Sequence, residues 1–73
     1  MSLRGYSDEQ PALTARMRAV LLLASLGRTE LQTATELGIT LYTVKSVRAA
    51  AIARLEVSNV TAAVAVAVRR GEL

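Results

Sequence analysis

The chain has 73 residues with nine lysines and arginines against six acids, a formal charge of +3, and neither cysteine nor histidine. These counts exclude disulfides, zinc sites built from Cys and His, and catalysis by a nucleophile–histidine pair. No carboxylate pair or phosphate-binding loop is visible, so we expect no enzymatic activity and no cofactor. The length allows one domain, and the charge modestly favours an anionic partner.

Two apolar segments, 19–26 and 61–68, are each eight residues long. A helix that spans a bilayer needs roughly 20 apolar residues, so neither segment predicts membrane insertion. Neither one follows a basic N-terminus with a cleavage site, which argues against secretion. We therefore expect a cytoplasmic protein with no membrane partner.

Three glycines, at positions 27, 38 and 71, each follow a helical pattern, as is typical of the left-handed position just after a helix. Residues 1–12 precede the first pattern and are expected to form a flexible segment, because residues 1–10 are polar and aperiodic. The first helix is predicted from about Ala15 to Leu26, with Thr14 as N-cap. Its apolar face is predicted to comprise Leu13, Met17, Val20, Leu21 and Ala24.

The second helix is predicted from about Glu30 to Leu37, with Thr29 as N-cap and with Ala34 and Leu37 pointing inward. The third begins after Thr40 and runs to about Leu55. Apolar residues recur in it at spacings of three, four and four, which predicts one buried stripe. The members of that stripe are Val44, Val47, Ala51 and Leu55.

The fourth helix is predicted from about Val60 to Arg70, capped by Ser58 or Asn59. The β-branched residues of 64–68 also fit a strand, but a lone strand would have no partner, and helix is favoured. Val57, Val60, Val64 and Val68 also form a stripe at spacings of three, four and four, which supports the helix. The segment is more apolar than one buried side requires, which predicts self-association. Residues 13–73 are therefore expected to form an all-α domain of four helices.

The second and third helices are joined by a tight turn at Gly38, and the third helix carries Lys45, Arg48 and Arg54. No acid occurs between Thr40 and Leu55. A helix, a glycine turn and a basic helix form the pattern of a helix-turn-helix, whose second helix enters a groove of DNA. Double-stranded DNA is therefore the leading candidate partner.

Several short motifs in this pattern match a known family. They are Leu13-Thr14-Ala15-Arg16, Val20-Leu21, Gly27, the set Ala34, Leu37, Ile39 and Thr40, then Thr43-Val44-Lys45, Leu55 with Val57, and Ala63-Val64. From Leu13 to Gly71 the chain resembles the LuxR/FixJ-type helix-turn-helix domain. It departs from the family at Val47, where His is usual, at Gln32, where Glu is usual, and at Glu30, where Asn or a similar residue is usual. Glu30 places a negative charge where DNA would approach.

The resemblance implies a four-helix LuxR-like helix-turn-helix domain that regulates transcription by sequence-specific binding, with the third helix (about 41–55) in the major groove. It further implies that bases are read mainly by Lys45, Ser46 and Ala49, a small set that predicts short or degenerate recognition. Arg28 and Thr29, at the start of the second helix, and Tyr42 are candidate phosphate contacts. The expected DNA-binding set is Arg28, Thr29, Tyr42, Thr43, Lys45, Ser46, Arg48 and Ala49.

The fourth helix of the family commonly forms a dimer contact, which implies a homodimer here. The implied interface residues are Val60, Ala63, Val64, Ala67 and Val68. Only about a dozen residues precede the first helix, so the chain resembles a stand-alone effector domain without a sensor. RNA polymerase is a further expected partner of such a regulator.

Two alternatives remain open. Thr43-Val44-Lys45-Ser46 also resembles the recognition helix of sigma-factor region 4, although the Leu55-x-Val57 link and the fourth helix argue against that reading. The other alternative is a protein-interaction module that pairs with a larger regulator and binds DNA weakly. Glu30 and Ala49 favour it, because the first adds negative charge and the second offers no hydrogen bond.

Overall fold

The computed structural model describes residues 12–73, so the predicted flexible segment lies, apart from Ala12, outside the described residues. Four helices occupy the described chain, and no strand occurs in that part. They are α1 (Ala15–Ser25), α2 (Glu30–Leu37), α3 (Leu41–Leu55) and α4 (Val60–Arg69). The all-α, four-helix prediction is confirmed, with α1 and α4 each ending one residue earlier than expected.

Each helix begins at a side chain that accepts a backbone N–H from the first turn, as expected of Ser, Thr and Asn at N-caps. Of the two candidates for the start of α4, Asn59 is the cap: its Oδ1 accepts from the Ala62 N–H at 2.8 Å. The other three caps are Thr14 and Thr29, which were predicted as caps, and Thr40, after which α3 was predicted to begin. At the turn after α2, Gly38 has φ 67°, the left-handed conformation that a glycine adopts at least cost.

The end of α3 differs from the ends of α1 and α2 because a non-glycine residue takes the left-handed position. Glu56 has φ 57° and ψ 47°. Its backbone N–H donates to the carbonyl of Ala53, and the N–H of Val57 donates to the carbonyl of Ile52. These two hydrogen bonds end the helix. A side chain with a Cβ is strained in this conformation. No glycine marks this helix end, and the sequence patterns did not predict the strain.

The core has two parts, and α3 contributes to both. The smaller part lies among α1, α2 and α3 and is formed by Val20, Ala34 and Val44. The larger lies among α1, α3 and α4, and its buried members are Leu13, Met17, Leu21, Ala51, Leu55, Ala63 and Ala67. Among the described helices, α2 and α4 make no contact with each other. They lie apart, each packed on α1 and α3.

Of the predicted α4 stripe, Val57, Val60 and Val64 pack against the core and Val68 does not. Ala63 and Ala67 are fully buried, whereas Val68 is 55% exposed. Val60 and Val64 are half-buried beside the two alanines. Alanine has the smallest apolar side chain, so the alanine face lets α4 approach α1 and α3 closely. The burial of Ala63 and Ala67 within their own domain also removes these two side chains from any surface that could contact a partner.

The α2 helix buries one side chain that the sequence patterns did not single out. Thr33 is fully buried, and its hydroxyl has no hydrogen-bond partner within the described chain. Such a group normally finds a partner when it leaves water, because an unsatisfied hydroxyl costs folding free energy. Removal of this hydroxyl is therefore expected to stabilise the fold.

Both ends of the described chain are tied to the helices. The backbone N–H of Leu13 donates to Oε1 of Glu72 at 2.8 Å, and Arg70 pairs with the other oxygen of that carboxylate at 2.9 Å. Nη1 of Arg54, predicted on the outer face of α3, donates instead to the carbonyl of Ala12 at 2.8 Å. The start of α1 is thereby held against the ends of α3 and α4.

Candidate nucleic-acid interface

One face of α3 is open to solvent and carries all three side chains expected to read bases. Tyr42, Lys45, Ser46 and Ala49 are all exposed and lie at positions i, i+3, i+4 and i+7. That spacing places the four side chains on one side of the helix across two turns. We call these four residues the α3 outer face. Tyr42 is 78% exposed, and its phenolic hydroxyl can donate to a phosphate.

Thr43 lies at the edge of this face and is half-buried. Its hydroxyl is 2.9 Å from that of Thr40, the N-cap of α3. Thr43 therefore helps to fix the start of the helix. Its hydroxyl can bind a ligand only while it also keeps, or gives up, its hydrogen bond with Thr40.

The start of α2 lies near α3 and presents a capping box. The Thr29 hydroxyl accepts the Gln32 N–H at 3.0 Å, and the Gln32 side-chain oxygen accepts the Thr29 N–H at 2.9 Å. Gln32 thus performs the capping that this position requires, as Glu would. Arg28, just before the helix, is engaged by Glu36 on the next turn, with Nε and Oε2 2.7 Å apart. Both Arg28 and Thr29 remain exposed.

An ion cluster joins α2 to α3. Nζ of Lys45 lies 2.8 Å from Oε1 of Glu30, and Nη1 of Arg48 lies 3.5 Å from Oε2 of the same carboxylate. We call these three residues the Glu30 cluster. The expectation of an open basic face is therefore wrong for Arg48. Its side chain is only 17% exposed and points at Glu30, and its buried Nε has no hydrogen-bond partner among the described residues.

The electrostatics of the Glu30 cluster follow from its geometry. The hydrogen bond from Lys45 lowers the pKa of Glu30, the charges of Lys45 and Arg48 act in the same direction, and partial burial opposes them. Glu30 is therefore a carboxylate at neutral pH, and the cluster carries a net charge of +1 rather than +2. Lys45 itself stays 58% exposed on the α3 outer face.

The family model described as GerE, bacterial regulatory proteins of the luxR family, matches residues 11–67. The chain belongs to the luxR family. Its domain is a DNA-binding helix-turn-helix of transcription regulators, which decides against sigma-factor region 4 and agrees with the exposed face of α3. Neither the comparison with curated proteins nor that with solved structures found a match.

A second exposed surface of this luxR-family domain lies on α4. Thr61, Ala65 and Val68 are exposed along one side of the helix, with Val64 half-buried beside them. Between this side of α4 and the end of α1, a shallow pocket of about 290 Å³ is lined by Ala24, Ser25, Val60, Thr61 and Val64. We call Thr61, Val64, Ala65 and Val68 the α4 ridge. The ridge retains Val64 and Val68 from the expected dimer contact, whereas Val60 belongs to the pocket and Ala63 and Ala67 to the core.

The described residues contain no group of His, Cys, Asp and Glu that could hold a metal ion. No single described helix is long and apolar enough to cross a bilayer. By length and composition α3 and α4 meet that requirement only together, as a pair bent by 56°.

Proposed function

We propose that this luxR-family domain binds DNA in a sequence-specific manner by inserting α3 into the major groove. The observation that supports the proposal best is the α3 outer face, which is exposed from Tyr42 to Ala49 and contains no acid. An α-helix with its side chains is about 10–12 Å across, which matches the major groove width of about 12 Å. Lys45, Ser46 and Ala49 would face base edges, with Lys45 able to donate to guanine O6 and N7.

Phosphate contacts would come from the two ends of the helix-turn-helix. The Tyr42 hydroxyl lies at the start of α3, and Arg28 and Thr29 lie at the start of α2, where the helix dipole favours an anion. Arg28 would exchange its exposed partner Glu36 for a phosphate at small cost, because surface ion pairs contribute little to stability. Arg48 supports this surface from below by holding Glu30 and is not a direct contact in the proposal.

We further propose a homodimer formed through the α4 ridge. Val68 is the largest exposed apolar side chain of α4, and an isologous contact would bury it together with Val64. A two-fold dimer presents its α3 helices to half-sites about one turn of DNA apart. The operator would then be an inverted repeat with that spacing.

The decisive experiment compares binding by the wild type, Lys45→Ala and Arg69→Ala to a duplex selected by the wild type from a random pool. Arg69 is an exposed cation on α4, so its loss matches the charge change without touching α3. Loss of a base contact costs about 1–3 kcal/mol, so Lys45→Ala should weaken binding roughly 5- to 150-fold, and Arg69→Ala much less. Equal affinities, with native helicity in both variants, would contradict the use of α3.

The Glu30 cluster favours a second candidate function. Because Glu30 neutralises part of the basic surface, the domain could act mainly by pairing with a larger regulator and bind DNA weakly. Recovery of no duplex from the random pool at low salt, by a folded wild type, would support this second function over the first.

A further inference from the structure

Glu30 occupies the first position of α2, and its two carboxylate oxygens serve two different cations of α3. Oε1 accepts a hydrogen bond from the ammonium of Lys45, and Oε2 faces the guanidinium of Arg48. The arrangement is fixed from below, since Arg48 is largely buried. A ligand that approaches these two cations therefore meets one positive charge that Glu30 has already compensated.

The ammonium of Lys45 retains donors despite this pairing. It carries three N–H groups, and one of them points to Glu30. Its side chain is 58% exposed, so the other two can reach a ligand on the α3 outer face. Lys45 is thus a hydrogen-bond donor whose positive charge is partly offset by a carboxylate that it shares with Arg48.

DNA offers two kinds of hydrogen-bond acceptor, and Glu30 affects the contact of Lys45 with each kind differently. A phosphate attracts a lysine mainly by charge, and here it would also approach the carboxylate of Glu30 and be repelled. Guanine O6 and N7 are neutral acceptors that need donors rather than net charge. Glu30 therefore weakens the contact of Lys45 with a base edge only slightly, whereas it weakens the contact with a phosphate strongly.

On the basis of the proposed function, we propose that Glu30 is a specificity-determining residue: it holds Lys45 away from phosphates and makes it available to base edges. Glu30 lowers the affinity for DNA of any sequence more than the affinity for the preferred site. The ratio of the two affinities is therefore higher with Glu30 than without it.

The test measures binding of the wild type, Glu30→Gln and Glu56→Gln to a site selected by the wild type and to a scrambled duplex of equal length. Glu56→Gln makes the same charge change at the far end of α3, where Glu56 is exposed. Glu30→Gln should bind the scrambled duplex roughly two- to fivefold tighter per domain, the range expected for release of an exposed ion pair. The plot of log K against log salt should steepen by about 0.9 per domain.

A second set of variants assigns this effect to Lys45. In a Lys45→Met background, adding Glu30→Gln should raise the affinity for the scrambled duplex less than it does in the wild-type background, because no ammonium is left to release and only the direct repulsion between the carboxylate and a phosphate is removed. Single substitutions of 7-deazaguanine in the selected site remove one guanine N7 at a time. The wild type should lose affinity at one position per half-site, and Lys45→Met should be insensitive there.

Unchanged or weaker binding of Glu30→Gln to the scrambled duplex, while the wild type binds its selected site, would overturn the role of Glu30 and leave DNA binding intact. Failure of every variant to bind any duplex would overturn the proposed function itself. Circular dichroism checks the fold of each variant. Glu30→Ser, which also suits a first helical turn, repeats the test if Glu30→Gln is unfolded.

Discussion

The backbone N–H of Leu13 and the carboxylate of Glu72 form a 2.8 Å hydrogen bond across 59 positions of the chain. Arg18 strengthens this junction: its Nη1 donates to the Leu13 carbonyl at 2.7 Å and lies 4.0 Å from Glu72. The junction lies just before α1 and just after α4, so one carboxylate fastens the two helices together.

Replacing Glu72 by Ala should destabilise the domain by roughly 1–2 kcal/mol. The substitution leaves the Leu13 N–H without its acceptor at a partly buried position and removes one ion pair of Arg70. Urea denaturation followed by circular dichroism measures the loss. Glu72→Gln keeps an acceptor oxygen and should lose less, and equal losses in the two variants would contradict the hydrogen bond as the cause.

Replacing Glu56 by Gly should stabilise the domain by about 0.5–1 kcal/mol, because glycine adopts the left-handed conformation at φ 57° without strain. The gain is partly offset by the greater freedom of glycine in the unfolded chain. Thermal denaturation of wild type, Glu56→Gly and Glu56→Ala distinguishes the relief of backbone strain from the loss of the Glu56 side chain. Alanine keeps the Cβ, so a gain of equal size in Glu56→Ala would show that conformation is not the reason.

Replacing Thr33 by Val should raise the unfolding free energy by about 1 kcal/mol. The change keeps the shape of a fully buried side chain and removes a hydroxyl that has no hydrogen-bond partner among the described residues. Thr35→Val is the matched control, since the Thr35 hydroxyl is exposed and donates to Leu31 at 3.1 Å. A less stable Thr33→Val variant would indicate that this hydroxyl is satisfied in solution.

Replacing Val68 by Glu tests the proposed dimer. An unpaired charge in an isologous contact should cost about 3 kcal/mol of association free energy, and much less of folding, because Val68 is exposed in the single domain. Analytical ultracentrifugation with and without the selected DNA measures the assembly state. Ser58→Glu, exposed but outside the α4 ridge, should leave it unchanged. A wild type that stays monomeric on its operator would contradict the dimer.

The bounds of the helices could be predicted because their signals are local. Thr29 and Thr40 each precede a helix whose first turn they cap, and Gly38 supplies the turn between them. The stripe on α3 was also predictable, since Val44 and Ala51 recur at helical spacing among polar residues, and both are buried.

The failures of prediction have equally specific reasons. Segment 62–68 is composed of alanine and valine, so no polar side chain marks which side of α4 faces solvent. The pairing of Glu30 with Lys45 joins residues 15 positions apart across a turn, which no periodicity reveals. Arg48 was predicted to be open because α3 itself contains no acid. Its partner Glu30 lies on α2.

The two sides of α3 have separate tasks. Val44 and Ala51 face the two parts of the core and fix the axis of the helix, whereas Tyr42, Ser46 and Ala49 are exposed on the opposite side. The three exposed positions can therefore accept many side chains without affecting the packing that folds the domain. Evolution, or a library randomised at these positions, can change which operator is chosen while the scaffold stays the same.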